Sequence, residues 1–108
     1  MTELLAAARR PSALLVANNL MTLGALRAIR HAGLRVPDDI ALLGVDDPAW
    51  AALVEPPLTT LAQPVRLMAA DAMELLLQRV TGAREKPRRI VHPFELRARS
   101  STCGTVPG

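Results

Sequence analysis

Hydrophobic positions along the chain fall into two patterns, short unbroken runs and stretches that recur every three or four residues. Ala13-Leu-Leu-Val-Ala17 is an unbroken run, the mark of a strand covered on both faces, as in a parallel sheet. From Leu20 to Ala32 the pattern turns helical, with Met21, Gly24, Ala25, Ala28, Ile29 and Ala32 on one face. Asn18 and Asn19 both suit the cap of that helix, and Gly33 suits the left-handed residue that closes it. Ile40-Ala-Leu-Leu-Gly-Val45 is a second run and stops at Asp46-Asp47-Pro48. Strand, helix and strand with short connections make one βαβ unit, which requires parallel strands and a right-handed crossover.

The flanks carry weaker patterns. Thr2 to Arg10 reads as a short helix capped by Thr2, with Arg9 and Arg10 toward the negative end of its dipole and Pro11 ending it. Ala49 to Pro57 is expected to form a helical turn and an extended exit, and Leu58 to Ala62 a brief strand. Pro64 suits the first position of a helix that runs to Val80, with Val65, Met68, Ala69, Ala72, Leu76 and Val80 on one face. Ile90 to Leu96 is a third apolar segment, broken by Pro93, and Ser100 to Gly108 a tail.

Composition narrows the class. The chain has 108 residues, enough for one small domain, with 50% hydrophobic and 21% charged, which excludes wholesale disorder. The single cysteine, Cys103, excludes an intrachain disulfide framework and a thiolate zinc cage. No apolar run reaches the ~18 residues of a membrane span. Glu3 precedes the Arg9-Arg10 pair, the reverse of a secretory signal. A soluble protein in the cytoplasm, with no membrane partner, is the expectation. The net charge is +3, but the basic residues are scattered. Their one dense group, Arg84, Lys86, Arg88 and Arg89, is interrupted by Glu85 and Pro87 and reads as a solvated loop. No helix-turn-helix, zinc finger or aromatic stacking platform stands in the sequence, so no residue is assigned to DNA.

Catalytic signatures are also missing. There is no G-x-G-x-x-G, P-loop or nucleophile elbow, and neither His31 nor His92 has a catalytic partner by spacing. No enzyme activity, cofactor or metal is expected. In open parallel sheets ligands bind beyond the carboxyl ends of the strands, where Asn18 and Asp46 stand, and Gln63 follows the brief third strand. An ionised Asp46 can accept hydrogen bonds from two adjacent hydroxyls, while Asn18 and Gln63 each bring a donor and an acceptor. The trio suits a neutral polyhydroxylated ligand. Singly, each has a plainer role: a helix cap, a turn former, a solvated residue before proline. Trp50 is suited either to stack on a ligand or to anchor its loop. Asp46-Asp47 as a magnesium or phosphoacceptor pocket needs further oxygen ligands and a nearby cation, and the only lysine is the distant Lys86.

Three segments carry a family resemblance: Leu15-Val-Ala-Asn-Asn-Leu-Met-Thr-Leu-Gly-Ala-Leu-Arg-Ala-Ile-Arg30, Ala32-Gly-Leu-Arg-Val-Pro-Asp-Asp-Ile-Ala-Leu-Leu-Gly-Val-Asp-Asp47 and Pro56-Pro-Leu-Thr-Thr-Leu-Ala-Gln-Pro64. In this order they resemble the C-terminal half of the effector-binding domain of lactose-repressor/galactose-repressor (LacI/GalR) transcription regulators. Glu95 to Thr102 resembles that family's last strand, so the likeness covers residues 8–102. It implies a periplasmic-binding-protein-like type I α/β fold, two lobes with ligand between them, here incomplete. Residues 1–63 and 93–100 would form the C-terminal lobe, residues 64–92 a crossover helix and strand of the N-terminal lobe, and residues 101–108 a tail. The resemblance also implies a small-molecule effector, a carbohydrate, touching Asn18, Asp46 and Gln63, with Trp50 near the cleft, and a homodimer. One departure is Asn19, where the family usually has Asp. Another is the absence of the helix-turn-helix through which the family reaches DNA, which points to a truncated regulator. The competing expectations are a stand-alone solute-binding or interaction module and a gene fragment without function.

Overall fold

A computed structural model describes residues 1–83 and 86–103. Asn18 takes the cap position: its backbone is extended and its Oδ1 accepts the Met21 N–H at 2.8 Å, satisfying a donor that every helix start leaves unpaired. The helix so begun, α2 (Asn19–His31), closes through Gly33, whose φ of 70° lies in the left-handed region. Before it come α1 (Thr2–Ala6) and β1 (Ala13–Val16). After it come β2 (Ala41–Val45), a 3-10 turn at Ala49–Ala52, β3 (Thr59–Ala62), α3 (Val65–Val80), β4 (Glu95–Arg97) and a 3-10 turn at Ser100–Thr102.

The sheet has the order β1-β2-β3-β4, with β1–β2 and β2–β3 parallel. The expected βαβ unit is therefore present. Two compact units divide the chain: Met1–Ala62 with the segment returning from Leu96, and Gln63–Glu95. In the first unit, α2 lies against β1 and β2, and Ile29, Ile40, Leu42 and Leu58 are fully buried. Gly44 permits this close packing. A Cβ there would stand 2.9 Å from Thr22 Oγ1, and that hydroxyl is already held at 2.7 Å by the Asn18 carbonyl. Gly44→Ala is expected to cost about 1–3 kcal/mol by overpacking, read as a lower urea midpoint with an unchanged slope.

Several expectations need correction. Helix α1 ends at Ala6, not Arg10, and no side chain caps it; Ala7 is already extended. So few residues cannot sustain a helix unaided, and Pro11 disfavours helical geometry in Arg10. Strand β1 is not covered on both faces: it is an edge strand, and Leu15 is 69% exposed. The buried face of α2 is Thr22, Ala25, Leu26 and Ile29, one position round from the expected stripe. Met21 is exposed because Thr22 can hide its hydroxyl in a bond to the preceding turn and so leave Leu26 in the core.

In the second unit, α3 begins after Pro64 rather than on it, and none of its residues is buried, its expected apolar face included. Residues 90–94 form no strand; Pro93 cannot donate to a ladder, and extended pairing starts at Glu95. Within this unit His92 Nε2 lies 2.8 Å from Asp71 Oδ2. Lys86, Arg88 and Arg89 are exposed, while Arg84 and Glu85 lie outside the described residues. The expected tail is not all tail. Ser101 is fully buried, its hydroxyl accepting the Thr59 N–H at 2.8 Å and donating to the Leu42 carbonyl at 2.6 Å. Residues 104–108 lie outside the described part.

Candidate functional site

Register brings two of the expected residues to one edge. Val16 pairs with Gly44, so Asn18 and Asp46 each stand two residues beyond a matched position on neighbouring parallel strands, which run about 4.8 Å apart. Both are at the carboxyl ends of their strands. Asn18 is exposed, and its Oδ1 accepts the cap bond, while its amide Nδ2 is a donor.

Asp46 is half-buried and is the only non-glycine residue with positive φ (76°) among the described residues. Its N–H reaches the Leu61 carbonyl at 3.0 Å. A left-handed conformation costs a non-glycine residue about 1–2 kcal/mol, and Asp is among the types that bear it best. Such strain gathers at functional positions, where surroundings force it. Trp50 sits in the 3-10 turn that follows, half-buried and packed against the core, which fits its anchoring role. Gln63 directly follows β3 and is the first residue of the second unit.

Asp47 forms a constellation that sequence reasoning missed. Its Oδ1 accepts the Thr60 hydroxyl at 2.8 Å and Arg99 Nη1 at 2.8 Å, and its Oδ2 accepts Arg97 Nη1 at 2.6 Å and Arg99 Nη2 at 3.2 Å. Arg99 Nη1 also donates to the Leu58 carbonyl at 2.6 Å. The Asp47 side chain is only 10% exposed. The Arg99 guanidinium, then the Thr60 hydroxyl and Arg97, outweigh desolvation and hold its carboxyl at about 2. Two arginines so bound occupy this carboxylate, which argues against a metal role. The cation sought in a lysine comes instead from Arg97 and Arg99, two residues apart and so on one face of an extended segment. That spacing was the available signal.

A cavity of about 430 Å³ lies elsewhere, between α1 and the far end of α2, lined by Leu5, Ala6, Ala28 and Ala32 with Arg27 and His31. Among the described residues no group of three His, Cys, Asp or Glu is placed to hold a metal ion, and no helix is long and apolar enough to cross a membrane.

Comparison with known proteins gives consistent matches. The periplasmic binding protein-like domain family matches residues 1–102. Over 101 residues the chain is 43% identical to the HTH-type transcriptional regulator CelR of Thermobifida fusca, covering 94% of this chain and 30% of that protein. The solved CelR–cellobiose complex is similar with a TM-score of 0.77 and 42% identity, over 83% of this chain and 28% of that one. A lac repressor dimer bound to operator and the anti-inducer ONPF gives 0.73 and 42%, over 85% and 28%. A LacI family regulator from Arthrobacter sp. FB24 in complex with lactose gives 0.78 and 32%, over 94% and 38%. The chain spans about 30% of the length of curated relatives that it matches.

Proposed function

The chain belongs to the periplasmic binding protein-like effector-binding domains of LacI-family transcription regulators, and from that membership we propose that it senses a carbohydrate effector through the carboxyl edge of its parallel sheet. Asp46 accepts hydrogen bonds from vicinal hydroxyls, Asn18 donates through Nδ2, Gln63 adds a donor and an acceptor, and Trp50 holds the loop beside Asp46. The single observation that carries the reading is the strained Asp46 at the end of β2, level with Asn18 on the neighbouring strand. Similarity to regulators solved with cellobiose and lactose supports a sugar over other polyhydroxylated ligands.

The wider role is part of the proposal. A regulator of this kind works in the cytoplasm as a homodimer, and effector binding shifts its affinity for DNA as a coupling between separate sites. No residue of this chain is assigned to DNA contact, and none to catalysis. Residues 1–63 and 93–100 take the role of the C-terminal lobe and residues 64–92, whose regular structure among the described residues is α3 alone, that of the N-terminal-lobe crossover. Helix α3 fits that division: Met73, Leu76, Leu77 and Val80, on one side of it, are each more than half exposed, an apolar face that calls for a covering partner.

Isothermal titration with cellobiose, lactose, glucose and an uncharged non-sugar polyol tests the carbohydrate reading. The expected result is saturable heat with at least one sugar and none with the polyol. No heat with any sugar, at concentrations high enough to detect weak binding, contradicts it.

A further inference from the structure

Asp46 holds a left-handed conformation that still costs a non-glycine residue free energy, so its surroundings must favour it. On one side its N–H is bonded to Leu61, extending the β2–β3 ladder by one residue. On the other side is Asp47, whose carboxylate is gripped by Thr60 of β3, by Arg97 of β4 and by Arg99 just beyond it. We infer that Asp47 is a positioning residue, and that the Asp47–Thr60–Arg97–Arg99 cluster holds Asp46 left-handed and so fixes where its side chain leaves the strand end. The inference rests on the reading of Asp46 as a ligand contact.

The geometry supports this over a merely structural ion pair. An exposed pair ties two flexible side chains together and fixes little. Here four of the bonds converge on one largely buried carboxylate, two of them from the planar fork of Arg99, which is anchored in turn to the Leu58 carbonyl. The peptide joining Asp46 to Asp47 is thus fixed at both ends, and relaxation of Asp46 to negative φ would pull Asp47 out of the cluster. Both arginines belong to the segment that re-enters the first unit at Leu96. The site is therefore complete only when the chain has returned from the second unit and laid β4 beside β3. Preorganisation of this kind lowers the cost of binding rather than adding a contact to ligand.

The test compares Asp47→Asn, the milder Thr60→Val, and Ile29→Val, a core variant that loses stability away from the strand ends. Two readouts are taken at a temperature where all are folded: the NMR backbone shifts of Asp46, which need no ligand, and cellobiose affinity. In Asp47→Asn the Asp46 shifts are expected to leave the left-handed range and affinity to fall about 10-fold, because the ligand must then restore the conformation that the cluster held. Thr60→Val is expected to do the same to a smaller degree, and Ile29→Val to change neither. Left-handed Asp46 shifts retained in both cluster variants would overturn the inference. If instead those shifts move but the parent chain binds no sugar, the positioning stands and the carbohydrate reading fails. Should Asp47→Asn not fold, Thr60→Val decides.

Discussion

Asp46→Ala is expected to weaken sugar binding by at least about 100-fold while leaving the fold intact. An ionised carboxylate that accepts two hydroxyls makes two charge-assisted hydrogen bonds, each worth about 1.5–3 kcal/mol, and a tenfold change in affinity is about 1.4 kcal/mol. Alanine removes both bonds and retains the strained φ of 76°. Asp46→Gly sharpens the test, because glycine adopts that conformation without penalty. It is expected to raise stability slightly, as judged by urea unfolding, and to bind no better than Asp46→Ala. A gain in stability with a loss of affinity is the signature of strain kept for function. Unchanged affinity in both variants removes Asp46 from the site.

The second large effect is on stability. Asp47→Ala leaves three donor groups, those of Arg97, Arg99 and Thr60, without their shared acceptor. Breaking a buried, hydrogen-bonded charge pair from one side costs about 3–5 kcal/mol. With Arg97 nearly half exposed, about 3 kcal/mol is expected, a large part of the 5–15 kcal/mol typical of a whole domain. Acid tests the same cluster. The Asp47 carboxyl titrates at about 2 in the folded chain, against about 3.9 in an unfolded one. A depressed folded value means the stabilisation is fully present above about pH 4 and is lost as pH falls toward 2. The difference in unfolding free energy between the parent chain and Asp47→Asn is therefore expected to be large at pH 6 and to shrink steadily from pH 4 to pH 2. A difference independent of pH contradicts the cluster's charge state.

What the sequence made legible followed from local rules. Asn18 before a helical stripe and Gly33 after it bounded α2 because capping is decided within one turn. The two aliphatic runs located β1 and β2, and the helix between them imposed parallel pairing. The face of α2 was misjudged because many small residues leave apolar periodicity ambiguous, and Thr22 is buried through a bond that hydropathy does not register. Asp47 was read only with its neighbour, since its partners lie 13 to 52 positions away. Ser101 was lost in a supposed tail for the same reason: a polar residue is buried there because two strands need its hydroxyl. An apolar face of α3 was expected and none of it is buried, because periodicity says which face seeks cover and not what supplies it.

Recognition of a carbohydrate by the carboxyl edge of the sheet is tested by mapping backbone NMR shifts of the chain during titration with cellobiose. Saturable shifts are expected at Asn18, Asp46, Trp50 and Gln63, with the residues around the cavity between α1 and α2 unmoved. Shifts confined to that cavity, or no saturable shift at the strand ends, would contradict it.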